Sequence, residues 1–540
     1  MTISFDSDFT MTIGGQGVAG ASSFDVLNPA TEQPVAKAPD CSRDQLDQAV
    51  AAARKAFPAW AATPFAERQK LVTAMAGVLF ANAEPLKRLL TAEQGKTLDA
   101  AGADVMGGGF WLQQSATLTL PETVNEDSET RRSITRHVPL GVVGAIAPWN
   151  FPILLACFKI GPALLAGNTV VLKPSPFTPL TTLKVGELLR GVLPPGVLNV
   201  VSGGDALGPW MTSHPGIDKI SFTGSTQTGR KVMASASETL KRVTLELGGN
   251  DAAIVLPDVD VNKVAQELFW AAFGNSGQIC IATKRMYVHK DVYEPLKAAL
   301  VEYAKSVKVG DGAQQGTQLG PIQNRPQYQR VVSLIQDARD KGYSFLMGGL
   351  PEEQKGYFVP ITILDNPPEE SRIVQEEQFG PVLPLLKFDD VDEAIARANA
   401  SEYGLGASVW SGDAEKALAI GQRLQAGTVW INEAQHLSPL APFAGHKQSG
   451  AGAENGLEGL LEYTATQTIT VKKPAAAACR GAKRGGRRKT AALAARAALS
   501  DEGACPTKSR SRPNRCPTRS GGARRCAVPN AARARSSAPI

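Results

Sequence analysis

At 540 residues, 43% of them hydrophobic, the chain can bury more than one core, and its length alone suggests two to four domains. Its formal net charge of +6 is unevenly divided: residues from Lys472 onward hold 18 Lys/Arg against 2 Asp/Glu, which leaves residues 1–471 at −10. Three of the seven cysteines are scattered through that acidic body and no CxxC pair occurs, which argues against a disulfide framework and, with five dispersed histidines, against a metal site.

Along the chain, the N-terminus carries Asp6 and Asp8 instead of a basic-then-apolar signal pattern, so a cytoplasmic location is expected. Residues 42–115 read as helical, with apolar residues at three-to-four spacing in Gln45–Ala62 and Phe65–Phe80. Arg131–Pro139 alternates polar and apolar residues and suits an exposed strand able to pair with another subunit. The most apolar stretch, Gly144–Gly167, is interrupted by Pro148, Asn150, Pro152, Lys159 and Pro162, so no membrane span is expected. Short apolar runs follow at Gly141–Ala147, Thr169–Lys173, Val197–Val201, Lys219–Thr223 and Val243–Leu247, separated by helical stretches long enough for βαβ crossovers. They predict a parallel sheet with helices on both faces. A second series, Ala252–Leu256, Arg285–His289, Val382–Phe388, Ala407–Trp410 and Thr428–Asn432, predicts a second α/β domain. After Val471 the chain contains no Phe, Trp, Tyr or His, and residues 473–540 read as a disordered basic tail. A nucleic-acid-binding tail, a solvated tail and an out-of-frame translation product all fit that composition. The last is favoured because no aromatic is present to stack on bases.

Residues with chemical potential stand at the ends of the predicted strands. Cys280 follows the Gly/Ser/Gln-rich run Asn275–Ile279, which suits a tight loop presenting a thiol and a backbone N–H to one carbonyl oxygen. The alternative is a small buried hydrophobe, the reading preferred for Cys157 in its apolar helix. Glu246 ends an apolar strand just before Gly248-Gly249, where α/β ligand sites form; a surface carboxylate beside a turn is the competing reading. Asn150, in Pro148-Trp149-Asn150-Phe151-Pro152, offers an amide to a developing oxyanion or simply makes an Asx turn. Lys173 ends another strand, and Phe222–Gly229 carries a glycine on each side of a strand-to-helix turn, suited to a pyrophosphate.

These motifs, with EEQFGP (376–381) and PFAGHKQSG (442–450), occur in the order and spacing of the NAD(P)-dependent aldehyde dehydrogenase superfamily, which the chain resembles over roughly residues 20–471. The resemblance implies an α/β fold in three parts. These are a Rossmann-like NAD(P)-binding domain (1–117 and 140–248), a catalytic domain (249–461) and an oligomerisation β-flap (118–139 and 462–472) that builds a homodimer or homotetramer. It further implies Cys280 as nucleophile through a thiohemiacetal and a thioester, Asn150 as oxyanion donor, Glu246 as the base for the hydrolytic water, and Lys159 and Glu454 as aids to proton removal. Trp149, Lys173, Ser175, Gly224, Ser225, Gly229, Glu377 and Phe379 match cofactor contacts. Phe151, Leu154, Phe158, Ile279, Ile281 and Phe443 match the substrate tunnel, whose apolar lining favours a neutral aliphatic or aromatic aldehyde. Pro176 departs from the pattern: NAD-preferring members commonly carry a glutamate three residues after the lysine. NAD is the expected cofactor, with NADP left open. Two rival readings are a CoA-acylating semialdehyde dehydrogenase, against which Glu246 speaks, and a nucleic-acid-binding protein acting through the tail; no nucleic acid is expected on the body.

Overall fold

A computed structural model describes residues 3–474. The tail expected to be disordered, from residue 475 onward, lies outside the described residues.

Four helices occupy the helical segment: Arg43–Ala62, Phe65–Ala81, Ala83–Gln94 and Leu98–Ser115. Local chemistry sets their ends. Ser42 and Gln45 close a capping box, Gly95 terminates the third helix in the left-handed region (φ 91°), and the Thr97 side chain caps the fourth. The predicted parallel strands form side by side in the order Leu198–Val200, Thr169–Lys173, Val142–Ile146, Lys219–Thr223, Arg242–Glu246. Val142–Ile146 is first in sequence but central in space, so strand order reverses beside it, and a ligand crevice belongs outside the carboxyl ends at that point. The sheet is not wholly parallel. Met11–Ile13 joins one edge and Gly450–Ala451 the other, both antiparallel, because these short segments arrive from distant parts of the chain without a crossover helix.

The second series also forms a sheet, with Thr283–His289 at its centre between Asp251–Val255 and Val382–Phe388. Two of its strands, Phe345–Met347 and Thr362–Asp365, were not expected from the sequence. Both are short and give little periodicity to read. The first sheet is wrapped by one apolar core, and the two faces of the second each carry their own.

Arg131–Pro139 forms with the expected boundaries but not as an edge. It is the middle of a three-stranded antiparallel sheet, flanked by Thr123–Asp127 and by Thr464–Lys472 in nine-residue register. One of its hydrogen-bonding edges is filled over its whole length and the other over Arg132–Thr135, so the open strand edges of this sheet lie mainly on the flanking strands. No described helix is long and apolar enough to cross a membrane.

Candidate active site

The aligned strands place several predicted residues on one rim. Lys173 pairs in register with Ile146, Ile146 with Phe222, and Thr223 with Glu246, so all these strands end together. Trp149 and Asn150 follow the central strand, and Gly224 and Ser225 follow its neighbour, across the point where strand order reverses.

Two glycines then lie where three loops come into close contact. A Cβ on Gly249 would lie 2.4 Å from the Cys280 carbonyl oxygen, and a Cβ on Gly248 would lie 2.4 Å from a Glu377 carboxylate oxygen. At Gly249 the near atom is backbone, and there only glycine permits the approach. The same Glu377 carboxylate accepts a hydrogen bond from the Gly249 N–H at 3.0 Å. Thus the loop after Glu246, the loop bearing Cys280 and the loop bearing Glu377 and Phe379 share one centre.

Cys280 sits beyond a 3₁₀ turn, Gly274–Gly277, in which Asn275, Ser276 and Gly277 are all left-handed (φ 50°, 56° and 72°). For the two non-glycine residues this conformation costs roughly 1–3 kcal/mol each, so other contacts must hold it. Ser276 Oγ donates to the Gly320 carbonyl (2.7 Å), Gln278 Nε2 to the Asn275 carbonyl (3.0 Å), and the Gln323 N–H to Gln278 Oε1 (2.9 Å). Asn150 Nδ2 donates to the Gln278 carbonyl at 3.0 Å, fixing the amide beside the loop. Its amide has a second N–H that can serve an oxyanion.

Cys280 keeps part of its surface open to solvent, whereas Cys41 and Cys157 are buried. Its thiol is held well above the ordinary range by desolvation, then by the charge of Glu246. Glu246 is buried (3% exposed), and neither of its oxygens has a hydrogen-bond partner. The thiol faces it without meeting hydrogen-bond geometry. Burial pushes the Glu246 carboxyl up to about 8; Glu454 adds to the rise, and Lys159 opposes it. Lys159 and Glu454 form a buried ion pair, in which Lys159 also donates to Thr223 Oγ1 (2.8 Å) and Ser221 Oγ (3.3 Å). Glu454 Oε2 has no partner. The reading of Glu246 as a surface carboxylate is thereby set aside.

The crevice residues have a donor set suited to an anionic nucleotide. The helix Thr226–Ser237 is capped by Ser225 Oγ, which accepts from the Thr228 N–H, and its N-terminus faces the crevice rim. A Cβ on Gly224 would strike the Phe222 ring at 2.6 Å, and one on Gly229 would strike Leu247 at 2.5 Å, so both are packing glycines. Lys173 is buried with only the Pro174 carbonyl within reach (3.2 Å), and desolvation lowers its pKa to about 8. Ser175 Oγ accepts from the Phe177 N–H. Trp149 meets Phe379 edge to face at 5.3 Å. Burial lifts Glu377 to about 7.

The six candidate tunnel residues fall into two apolar clusters. Phe151 and Leu154 pack with Leu155, Phe158 and Trp111; Ile279, Ile281 and Phe443 pack with Cys280, Leu405 and Trp430. Leu437 touches both. Sequence reading missed Trp111 and Leu437. Trp111 stacks on Phe158 (5.0 Å between ring centroids) and donates to Asn455 Oδ1, 344 residues away, a relation with no local signal. Lys284 and Arg285, the basic residues that follow Cys280 most closely in sequence, are buried and donate to backbone carbonyls.

Residues 18–469 match the sequence model of the Aldehyde dehydrogenase family. A probable aldehyde dehydrogenase from a Pseudomonas species is 45% identical over 86% of this chain and 95% of its own length. Phenylacetaldehyde dehydrogenase from Pseudomonas fluorescens is 40% identical over 85% of this chain and 95% of its own. Among solved structures, the NAD+ complex of an aldehyde dehydrogenase from Bacillus cereus superposes with a TM-score of 0.85 at 37% identity, covering 87% of this chain and 97% of that one.

Proposed function

The chain belongs to the aldehyde dehydrogenase family, and from that premise we propose that it oxidises a neutral, apolar aldehyde to the carboxylic acid by covalent catalysis at Cys280. The oxidation of an aldehyde is the family's reaction; the residue roles and the substrate class are our reading. The observation that carries it is Glu246, a buried carboxylate with both oxygens unpaired, facing the one cysteine among the described residues that reaches solvent.

A thiol held above its usual range stays protonated at rest and needs a base. A carboxylate near 8 is a far better match for that proton than an ordinary one. Glu246 takes the Sγ proton, and the sulfur attacks the carbonyl carbon to give a thiohemiacetal. The Cys280 N–H and the free Asn150 amide N–H receive the oxyanion. NAD+, when bound, accepts the hydride. Lys173, Ser175, Trp149, the Gly224-Ser225 turn with Gly229, and Glu377 with Phe379 would hold it, and the Bacillus cereus relative is solved as an NAD+ complex. Pro176 leaves no carboxylate to repel a 2′-phosphate, so NADP is expected to be used as well. The resulting Cys280 thioester is attacked by water whose proton goes to Glu246. Lys159 and Glu454, coupled to Glu246 by charge, form the route by which the thiol proton leaves Glu246 before the water attacks, and the water proton taken by Glu246 then returns to Sγ as the acid departs.

The substrate class follows from the two apolar clusters joined through Leu437, whose members carry no charge. The three-stranded sheet ending at Lys472 is assigned to subunit pairing, and the first and second sheets to cofactor binding and catalysis. An aldehyde panel run with NAD+ and NADP+ tests the reading: phenylacetaldehyde-like and aliphatic substrates should outrun charged ones. Acyl-CoA as the main product in the presence of CoA would overturn the hydrolytic step.

A further inference from the structure

Lys284 is an expensive residue in its position. It is fully buried (0% exposed), and its partners at hydrogen-bond distance are two backbone carbonyls, with no carboxylate among them: Gly277 at 2.7 Å and Gly380 at 3.0 Å. Burying an ammonium costs several kcal/mol unless it is compensated, and an apolar side chain would fill the space without that cost. The two carbonyls belong to different loops. Gly277 closes the left-handed turn leading to Cys280, and Gly380 directly follows Phe379, itself left-handed (φ 49°). The loops touch there, because a Cβ on Gly277 would lie 2.1 Å from the Gly380 oxygen. Lys284 projects from the start of Thr283–His289, the central strand of the second sheet, at the irregularity where the pairing skips from Asp251↔Thr283 to Ala252↔Arg285 and just ahead of the Met286–His289 pairing on the other side. Each loop has anchors elsewhere, Ser276 and Gln278 on one, and Gln327 donating to the Gln378 and Phe379 carbonyls on the other. Among the described residues, Lys284 is the side chain that bonds to both.

We infer that Lys284 is a positioning residue that couples the cofactor-side loop, Glu377–Gly380, to the nucleophile loop, so that occupancy of one sets the reactivity of Cys280 on the other. The inference rests on the proposed roles of Cys280 and Glu377. A shift of the Gly380 carbonyl reaches the Gly277 carbonyl through one amino group, at a turn whose two left-handed non-glycine residues are already strained.

The test reads Cys280 without turnover. The full chain is alkylated with iodoacetamide, with and without saturating NAD+, and modification of the Cys280 peptide is timed by mass spectrometry. NAD+ binding is measured separately by tryptophan fluorescence. In the unmodified protein NAD+ should change the alkylation rate about fivefold or more. In Lys284→Met, which keeps the stem and loses the donors, NAD+ should still bind but leave the rate nearly unchanged. Lys284→Gln, which keeps an N–H donor, should restore part of the effect and carries the test should the Met variant fail to fold. An equal NAD+ effect in all three proteins, or no effect in the unmodified protein, overturns the coupling while leaving the catalytic reading intact. Failure of the unmodified protein to bind NAD+ overturns the catalytic reading and this inference with it.

Discussion

Two buried glutamates, Glu93 and Glu246, look alike by burial and differ in everything that decides use. Both are almost wholly buried, and burial lifts both, to about 7 and about 8. Glu93 spends each oxygen on a backbone N–H, Leu180 at 2.8 Å and Thr181 at 2.9 Å, and so closes the N-terminal turn of the helix Leu180–Leu189. Glu246 spends neither. A satisfied buried carboxylate is a structural part. An unsatisfied one keeps its lone pairs for something that arrives later, in the proposed mechanism a thiol proton and a water.

The contrast can be broken most severely at the thiol that Glu246 faces. Cys280→Ser should lower kcat/KM for aldehyde oxidation by roughly 10³-fold or more, because an alkoxide is far harder to form there than a thiolate. Near-normal turnover in a steady-state assay would remove Cys280 from its role. Glu246→Gln should lower turnover by roughly 10²-fold with deacylation slowed more than acylation, seen as a new or larger pre-steady-state NADH burst. The unmodified enzyme should gain activity as pH rises through about 8, where Glu246 ionises, and the Gln variant should lose that dependence.

Stability should sort the two glutamates the other way. Glu93→Gln removes an acceptor from a paired backbone N–H and should destabilise by about 1–3 kcal/mol, measured by denaturant unfolding, with little change in activity per folded molecule. For Glu246 the folded value lies above the ordinary 4.5, so its contribution to stability is present at low pH and is lost as pH rises through about 8. Glu246→Gln should therefore gain in Tm relative to the unmodified protein between pH 6 and pH 9. A constant difference would mean that Glu246 is not held protonated. The smallest effect is expected at the rim: Pro176→Glu should shift the cofactor ratio toward NAD by about tenfold, through repulsion of a 2′-phosphate. An unchanged ratio would mean that this position does not choose.

Local signals are strong where a motif must serve one backbone geometry. The strands Thr169–Lys173, Lys219–Thr223 and Val382–Phe388 form with the boundaries that their apolar runs indicate. The segment Arg131–Pro139 shows where such signals stop. Alternation identifies a strand but says nothing of what lies on its two edges, and here both are occupied by strands, one of them from the far end of the chain. Trp111 and Leu437 were illegible for a similar reason, since their partners lie hundreds of residues away or in other loops.

By itself, the sequence determined the candidate groups for the proposed chemistry: a thiol after a glycine-rich turn, a carboxylate and a lysine at strand ends, and an amide after a third strand. It could do so because each needs particular neighbours to turn the backbone. Only the tertiary structure decided their condition. That Glu246 is buried without a side-chain or backbone hydrogen-bond partner, that Gly248 and Gly249 let two other loops come close to it, and that Lys284 bonds to both of those loops all depend on burial and close approach between distant segments. Burial and approach arise when sheets and loops pack, and no short stretch of residues specifies them.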